Sequence, residues 1–201
     1  MVRLLFVRHG ETELNSSQKL WGKTDVKLGE LGLKQAERLR DRLALEKIDA
    51  VYSSNMKRAM VTAETVASRH QLPVIMCEEL REVNFGQLEG MTINESNQRY
   101  PELAKFRMER NLNLRYPGGD SLIEFSKRVS QFLKRLEKHT GDETVLIVAH
   151  YGVLRILICR LLDIDLRFLW QFHLDLASLS IMETNQHIVI LKLLNDVSHL
   201  V

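Results

Sequence analysis

Short apolar runs alternate along this chain with stretches in which apolar residues recur every three or four positions. Val2 to Val7 is the first run, closed by Arg8-His9-Gly10, and it reads as a buried strand. Leu31 to Leu45 has helical spacing, with Leu33, Ala36, Leu39 and Leu43 near one face. Ile48 to Tyr52 is a second short strand. Asn55 is placed to cap a helix running to about Arg69, in which Ala59, Thr62, Ala63 and Val66 are spaced for burial. Leu72 to Met76, opened by Pro73, is a third strand. Residues 80–90 are irregular, and two weaker helical stretches follow, Ile93 to Tyr100 and Glu102 to Arg110. Pro117-Gly118-Gly119-Asp120-Ser121 is a turn cluster. Ser121 with Glu124 has the pattern of a capping box for a helix reaching about His139. Thr144 to Ala149 is almost wholly apolar, as in a strand buried on both faces of a parallel sheet. A helix from Val153 to Leu162 and strands at Ser178 to Met182 and Ile188 to Leu194, joined through Asn185-Gln186, complete the pattern.

Strands alternating with helices predict an α/β protein, a three-layer α/β/α sandwich around a mostly parallel central sheet. Nothing in the pattern suggests a linker or repeat, so residues 1–201 are read as a single domain. Residues 80–120 are read as a lid insertion over one end of the sheet. An apolar fraction of 45% and a charged fraction of 27% fit such a domain. A net charge of +2 gives no ground for nucleic-acid or membrane binding. No run approaches the ~20 apolar residues of a membrane span. Val2 to Val7 is too short for a secretory signal. Cys77 and Cys159 lack metal-ligand spacing and read as inert buried thiols, so a cytoplasmic protein is expected. The terminal apolar strand offers an edge at which a second copy could pair as a homodimer.

In open α/β sheets, ligands bind beyond the carboxyl ends of the strands. Two predicted strands end there in histidine, one at His9 and one at His150. Arg8 precedes the first, and Arg58 opens the helix after the second strand. A lone strand-end histidine or a lone arginine is usually structural. Two histidines with two arginines at one edge point instead to an anionic ligand, most simply phosphate.

Leu5-Phe6-Val7-Arg8-His9-Gly10-Glu11-Thr12 resembles the signature of the histidine phosphatase superfamily, which includes the cofactor-dependent phosphoglycerate mutases. Tyr52-Ser53-Ser54 through Arg58-Ala59, Leu80-Arg81-Glu82 through Gly86 and Glu89-Gly90, Pro117 to Ser121, and Val148-Ala149-His150 also match its motifs, in order over nearly the whole chain. The resemblance implies that His9 is the nucleophile and becomes phosphohistidine, its tautomer held by a backbone carbonyl such as that of Gly10. Arg8, Arg58, Asn15 and a protonated His150 would surround the phosphoryl oxygens. Glu82 would give the leaving group a proton and later activate water. Trp21 and Gly22 fall where the family makes phosphate contacts through main-chain N–H groups. No metal or cofactor is implied, since the protein supplies the positive charge. Glu11 and Asp25 are read as solvated carboxylates.

Selectivity is expected from the lid, which carries Arg99, Tyr100, Phe106, Arg107, Arg110 and Arg115. Its modest length disfavours a mutase. Leu169-Trp170-Gln171-Phe172, Ala177-Ser178-Leu179-Ser180 and the ending from Leu194 to Leu200 resemble the alpha-ribazole phosphatases. That implies a phosphomonoesterase acting on alpha-ribazole 5'-phosphate in assembling the nucleotide loop of cobalamin. A phosphoserine or broad-specificity phosphatase is the alternative. Tyr151 departs from the family, where glycine often follows the second histidine directly, and is expected to narrow the site or touch substrate. A non-catalytic scaffold is disfavoured because every core residue is present.

Overall fold

A computed structural model describes residues 1–14, 19–185 and 188–201. Its strands are β1 (Val2–Arg8), β2 (Ala50–Ser54), β3 (Val74–Cys77), β4 (Thr144–Ala149), β5 (Leu179–Thr184) and β6 (Val189–Asp196). Its helices are α1 (Glu30–Arg42), α2 (Lys57–His70), α3 (Ile93–Arg99), α4 (Pro101–Met108), α5 (Leu122–Leu136) and α6 (Tyr151–Leu161). The six strands make one sheet in the order β3-β2-β4-β1-β5-β6. The first four run parallel, and β5 and β6 run antiparallel to their neighbours. The reversal follows from the route of the chain. It reaches Leu179 beside Val7, at the carboxyl edge of β1, so β5 has to run back the other way.

Alternation along the strands sorts the core into two layers. Leu4 and Phe6 of β1 and Ile147 of β4 pack with Phe125, Phe132, Leu154 and Ile158 of α5 and α6. Leu5, Val7, Leu146 and Val148 face the other way, onto Leu39, Ala59, Ala63 and Val66 of α1 and α2. Every residue of β4 is buried, as its unbroken apolar run predicts. Parallel pairing sets Arg8 opposite Ala149, so the two strand-end histidines leave the sheet side by side.

Two local expectations are corrected. Leu33 is 46% exposed. The buried face of α1 runs instead through Gly32, Ala36 and Leu39, because a Cβ at residue 32 would lie 1.9 Å from the Glu11 carbonyl oxygen. A backbone-to-backbone contact, not a leucine, anchors the start of that helix. Nor does Asn55 cap α2. Its Oδ1 is buried without a partner among the described residues, and the Lys57 N–H donates to Asp25 Oδ1 at 2.8 Å. The capping box at Ser121 and Glu124 is present, with both reciprocal bonds near 3 Å. Cys77 and Cys159 are free and buried, and burial pushes both thiols up to about 11. Among the described residues, no helix is long and apolar enough to cross a membrane.

Candidate active site

His9 and His150 meet edge to face, with ring centroids 5.0 Å apart. His9 Nδ1 lies 2.8 Å from the Gly10 carbonyl. A carbonyl can only accept, so Nδ1 carries the proton and Nε2 keeps its lone pair. Gly10 is itself fixed: its N–H donates to Thr62 Oγ1 at 3.2 Å, and a Cβ there would meet the Gly32 carbonyl oxygen at 2.6 Å. Burial, then the charges of Arg58 and Arg8, hold the His9 pKa well below that of a free imidazole.

His150 Nδ1 accepts from Arg58 Nε at 3.3 Å, which leaves Nε2–H to donate to Ser54 Oγ at 2.8 Å. The ring is therefore neutral in the free site, and burial, Arg58, His9 and Arg8 all push its pKa well down. The protonated form expected of His150 has to wait for an anion. The two rings also tie stability to pH. Above about pH 6.5 both are neutral folded or unfolded and contribute no pH dependence. Below it the unfolded chain takes up protons that the folded site refuses, so stability falls as pH drops. The expected loss is up to about 1.4 kcal/mol per pH unit for each ring. Urea denaturation of wild type and His150→Asn at pH 7 and pH 5 measures it, and the variant should lose less stability over that interval.

Arg58, buried in α2, donates to the Thr24 carbonyl through one Nη at 2.9 Å and to the Gly22 carbonyl through the other at 3.0 Å. The loop that supplies those carbonyls is organised by Glu89. Its Oε1 accepts from the N–H groups of Gly22 at 3.0 Å, Lys23 at 2.9 Å and Phe85 at 3.3 Å. Its Oε2 accepts from Thr24 N–H at 3.2 Å and Thr24 Oγ1 at 2.7 Å. The Gly22 N–H expected to contact phosphate donates to Glu89 in this structure. Gly22 serves through its carbonyl and through its lack of a side chain, since a Cβ would fall 1.8 Å from the Val83 carbonyl oxygen.

Glu82 sits at the start of α6. Its Oε1 accepts from Val83 N–H at 3.0 Å and its Oε2 from Gly152 N–H at 3.1 Å. A Cβ on residue 152 would lie 2.6 Å from Oε1, so the glycine one place beyond Tyr151 makes room for the carboxylate. Arg8 donates to the Leu174 carbonyl at 2.6 Å. Arg8 Nε and Trp21 Nε1 are buried donors with no partner among the described residues, and both residues line the same cavity as His9, Arg58 and Glu82, about 140 Å³ in volume. An unsatisfied indole N–H and an unsatisfied guanidinium N–H, with the Arg58 guanidinium alongside, mark a place for an oxyanion.

A second cavity of about 380 Å³ adjoins the first and shares Leu20, Glu82, Phe85 and Tyr151 with it. Its walls are mainly apolar, including Phe125, Ile156, Leu169 and Trp170. A larger hollow, about 820 Å³, lies at the other end of the sheet between Met1, Leu133 and Leu161. Among the described residues it has no arginine or lysine side chain in its walls, its His139 is paired with Tyr52 and Glu143, and the Met1 α-ammonium is paired with Asp142.

The structure thus gathers Arg8, His9, Trp21, Arg58, Glu82, His150 and Tyr151 at one edge. Asn15 lies outside the described residues. Asp25 acts on the cap of α2 and Glu11 packs against α1. Of the six residues singled out in the expected lid, Arg107 reaches the second cavity. Arg115 pairs with Glu124, Tyr100 with Gln87, Arg110 covers Phe168, and Arg99 lies over Tyr100. Glu89, Ser54, Arg155 and Trp170 were not predicted to have roles. Glu89 lay inside a recognised motif, but nothing in its local pattern tells a carboxylate that gathers N–H groups from one facing water.

The sequence matches the histidine phosphatase superfamily (branch 1) over residues 4–197. It is 35% identical over 200 residues to phosphoserine phosphatase 1 of Hydrogenobacter thermophilus, covering 100% of this chain and 95% of the relative. It is 32% identical over 195 residues to the adenosylcobalamin/alpha-ribazole phosphatase of Escherichia coli, covering 97% and 96%. The crystal structure of the alpha-ribazole phosphatase from Shigella flexneri superposes with a TM-score of 0.86 at 33% identity, covering 96% of each chain.

Proposed function

The chain belongs to the histidine phosphatase superfamily and is a phosphoric monoester hydrolase, and from that premise we propose that it works without a metal through a phosphohistidine at His9, with alpha-ribazole 5'-phosphate as its substrate. His9 Nε2 attacks phosphorus in line with the ester oxygen; the P–N bond forms as the P–O bond breaks. Glu82 gives the departing alkoxide its proton and then takes one from the water that attacks the phosphohistidine. That second step breaks the P–N bond and releases inorganic phosphate. Arg8 and Arg58 supply the positive charge that such a transfer needs. An arriving dianion offsets the charges that keep His150 neutral, so the ring can take a second proton at Nδ1, giving up the bond it accepts there from Arg58 Nε.

The two relatives' activities stand at nearly equal identity, so the choice of substrate rests on the site. The observation that carries it is the apolar cavity of about 380 Å³ opening onto Glu82. A cavity above roughly 300 Å³ suits a whole ring-bearing molecule. The aromatic base and ribose of alpha-ribazole fit walls made of Phe125, Ile156, Leu169 and Trp170. A serine leaving group would fill a small part of that space and leave the walls of Phe125, Ile156, Leu169 and Trp170 without an apolar partner. One feature favours phosphoserine: Arg107 lines the cavity with its Nε buried and without a partner among the described residues, a group suited to a carboxylate. Steady-state kinetics on both esters separates the readings. The expected kcat/KM for alpha-ribazole 5'-phosphate is at least about tenfold above that for phosphoserine, the scale of a partly buried ring. The reverse order would overturn the assignment and leave the phosphatase chemistry standing.

A further inference from the structure

Two arginines lie against the ring of Tyr151. The Arg8 guanidinium carbon is 4.7 Å from the Tyr151 ring centroid, and that of Arg155 is 3.7 Å away. Arg155 also donates to the phenol oxygen, four residues along α6. Both arginines are tied to one strap of backbone: Arg155 Nε donates to the Phe172 carbonyl and an Arg8 Nη to the Leu174 carbonyl, each at 2.6 Å. Asp175 closes that strap. Asn195 holds it from β6, with Nδ2 donating to Asp175 Oδ2 at 2.8 Å and Oδ1 accepting the Asp175 N–H at 2.6 Å. Arg8 is thus held by a carbonyl and an aromatic face, and it lines the cavity that His9 shares, while its Nε has no partner among the described residues.

We propose that Tyr151 is a positioning residue for Arg8, its ring clamped by Arg155 so that the Arg8 guanidinium faces the phosphoryl group. The inference rests on the reading of this edge as a phosphate site. It differs from the role expected of Tyr151 at the substrate. A ring that contacted the leaving group would set the choice among esters. A ring that orients Arg8 sets affinity for the phosphoryl group whatever is attached to it. The phenol oxygen is taken up by Arg155, and the ring face by the two guanidinium groups, which favours the second role.

The test compares Tyr151→Leu, Tyr151→Phe and Arg155→Lys with wild type. The readouts are inhibition by inorganic phosphate and kcat and KM for two esters of unlike leaving group, p-nitrophenyl phosphate and an alkyl phosphate. Tyr151→Leu should weaken phosphate inhibition about tenfold and raise KM for both esters by the same factor, the scale of a desolvated cation–π contact. Tyr151→Phe, which keeps the ring, should stay within about threefold of wild type. Arg155→Lys keeps the charge but loses the planar fork, and should fall between them even if Tyr151→Leu does not fold. Unchanged phosphate affinity in both Tyr151→Leu and Arg155→Lys, or in Arg155→Lys alone if Tyr151→Leu does not fold, would overturn the inference. So would a changed preference between the esters with phosphate affinity intact. A wild type that neither binds phosphate nor hydrolyses either ester would overturn the phosphate-site reading beneath it.

Discussion

Replacing His9 with alanine is expected to lower turnover by at least about four orders of magnitude while leaving the affinity for inorganic phosphate within about tenfold. The two effects separate because the groups that bind and the group that reacts are different. Arg8 and Arg58 are tied to backbone carbonyls by their own hydrogen bonds, at Leu174 and at Gly22 and Thr24, and none of these bonds passes through His9. The anion site survives the substitution. What is lost is one lone pair, on the nitrogen left free when Nδ1 donates to the Gly10 carbonyl. A single turnover with phosphorus-labelled substrate reads this directly. Wild type, quenched during the turnover, should carry label on the protein that is stable in alkali and lost in acid, and the label should persist with a chelator present. His9→Ala should hold none. Label on the variant, or residual turnover above about one percent, would mean that another group is the nucleophile.

The fold was legible in the sequence wherever one segment carried its own signal. The unbroken apolar run at Thr144 to Ala149 marks a strand buried on both faces, and it is one. Ser121 and Glu124 sit three residues apart, so their reciprocal cap is local and readable. Contacts made across the fold left no such mark. Asp25 caps α2 from 32 residues upstream, while the adjacent Asn55, the better local candidate, goes unpaired among the described residues. Gly32 rather than Leu33 defines the inner face of α1, because the deciding neighbour is the backbone of Glu11. The site divides in the same way. His9 and His150 were visible as strand ends, and parallel pairing of β1 with β4 brings them together. The carboxylate of Glu89 and the walls given by Phe125 and Trp170 come from segments that meet only after folding. Gly22 shows the limit most clearly. A motif indicates that its backbone matters, and only the geometry shows that its carbonyl, not its N–H, is turned to the buried arginine.

Glu82→Gln is expected to split the reaction by leaving group. An alkoxide leaves only as it is protonated, so with an alkyl phosphate ester the variant should lose roughly two to four orders of magnitude in kcat. A p-nitrophenolate is stable as an anion near neutral pH and needs no such proton. Phosphorylation of His9 by p-nitrophenyl phosphate should therefore remain fast, while hydrolysis of the phosphohistidine, which needs Glu82 to take a proton from water, becomes slow. The expected trace is a burst of about one nitrophenol per site, followed by slow turnover with phosphoenzyme accumulating. Glutamine also disturbs the local structure, and the size of that disturbance can be bounded. Both carboxylate oxygens accept backbone N–H groups, from Val83 and Gly152, and an amide nitrogen can accept neither. One N–H left unpaired costs about 1–3 kcal/mol. A carboxylate that merely held the start of α6 would, once lost, slow both esters alike and give no burst. Gly152→Ala supplies the companion measurement. Its Cβ, 2.6 Å from Oε1, must push the carboxylate aside without removing it. The same split between the two esters, in weaker form, is then expected from a chain whose Glu82 is intact.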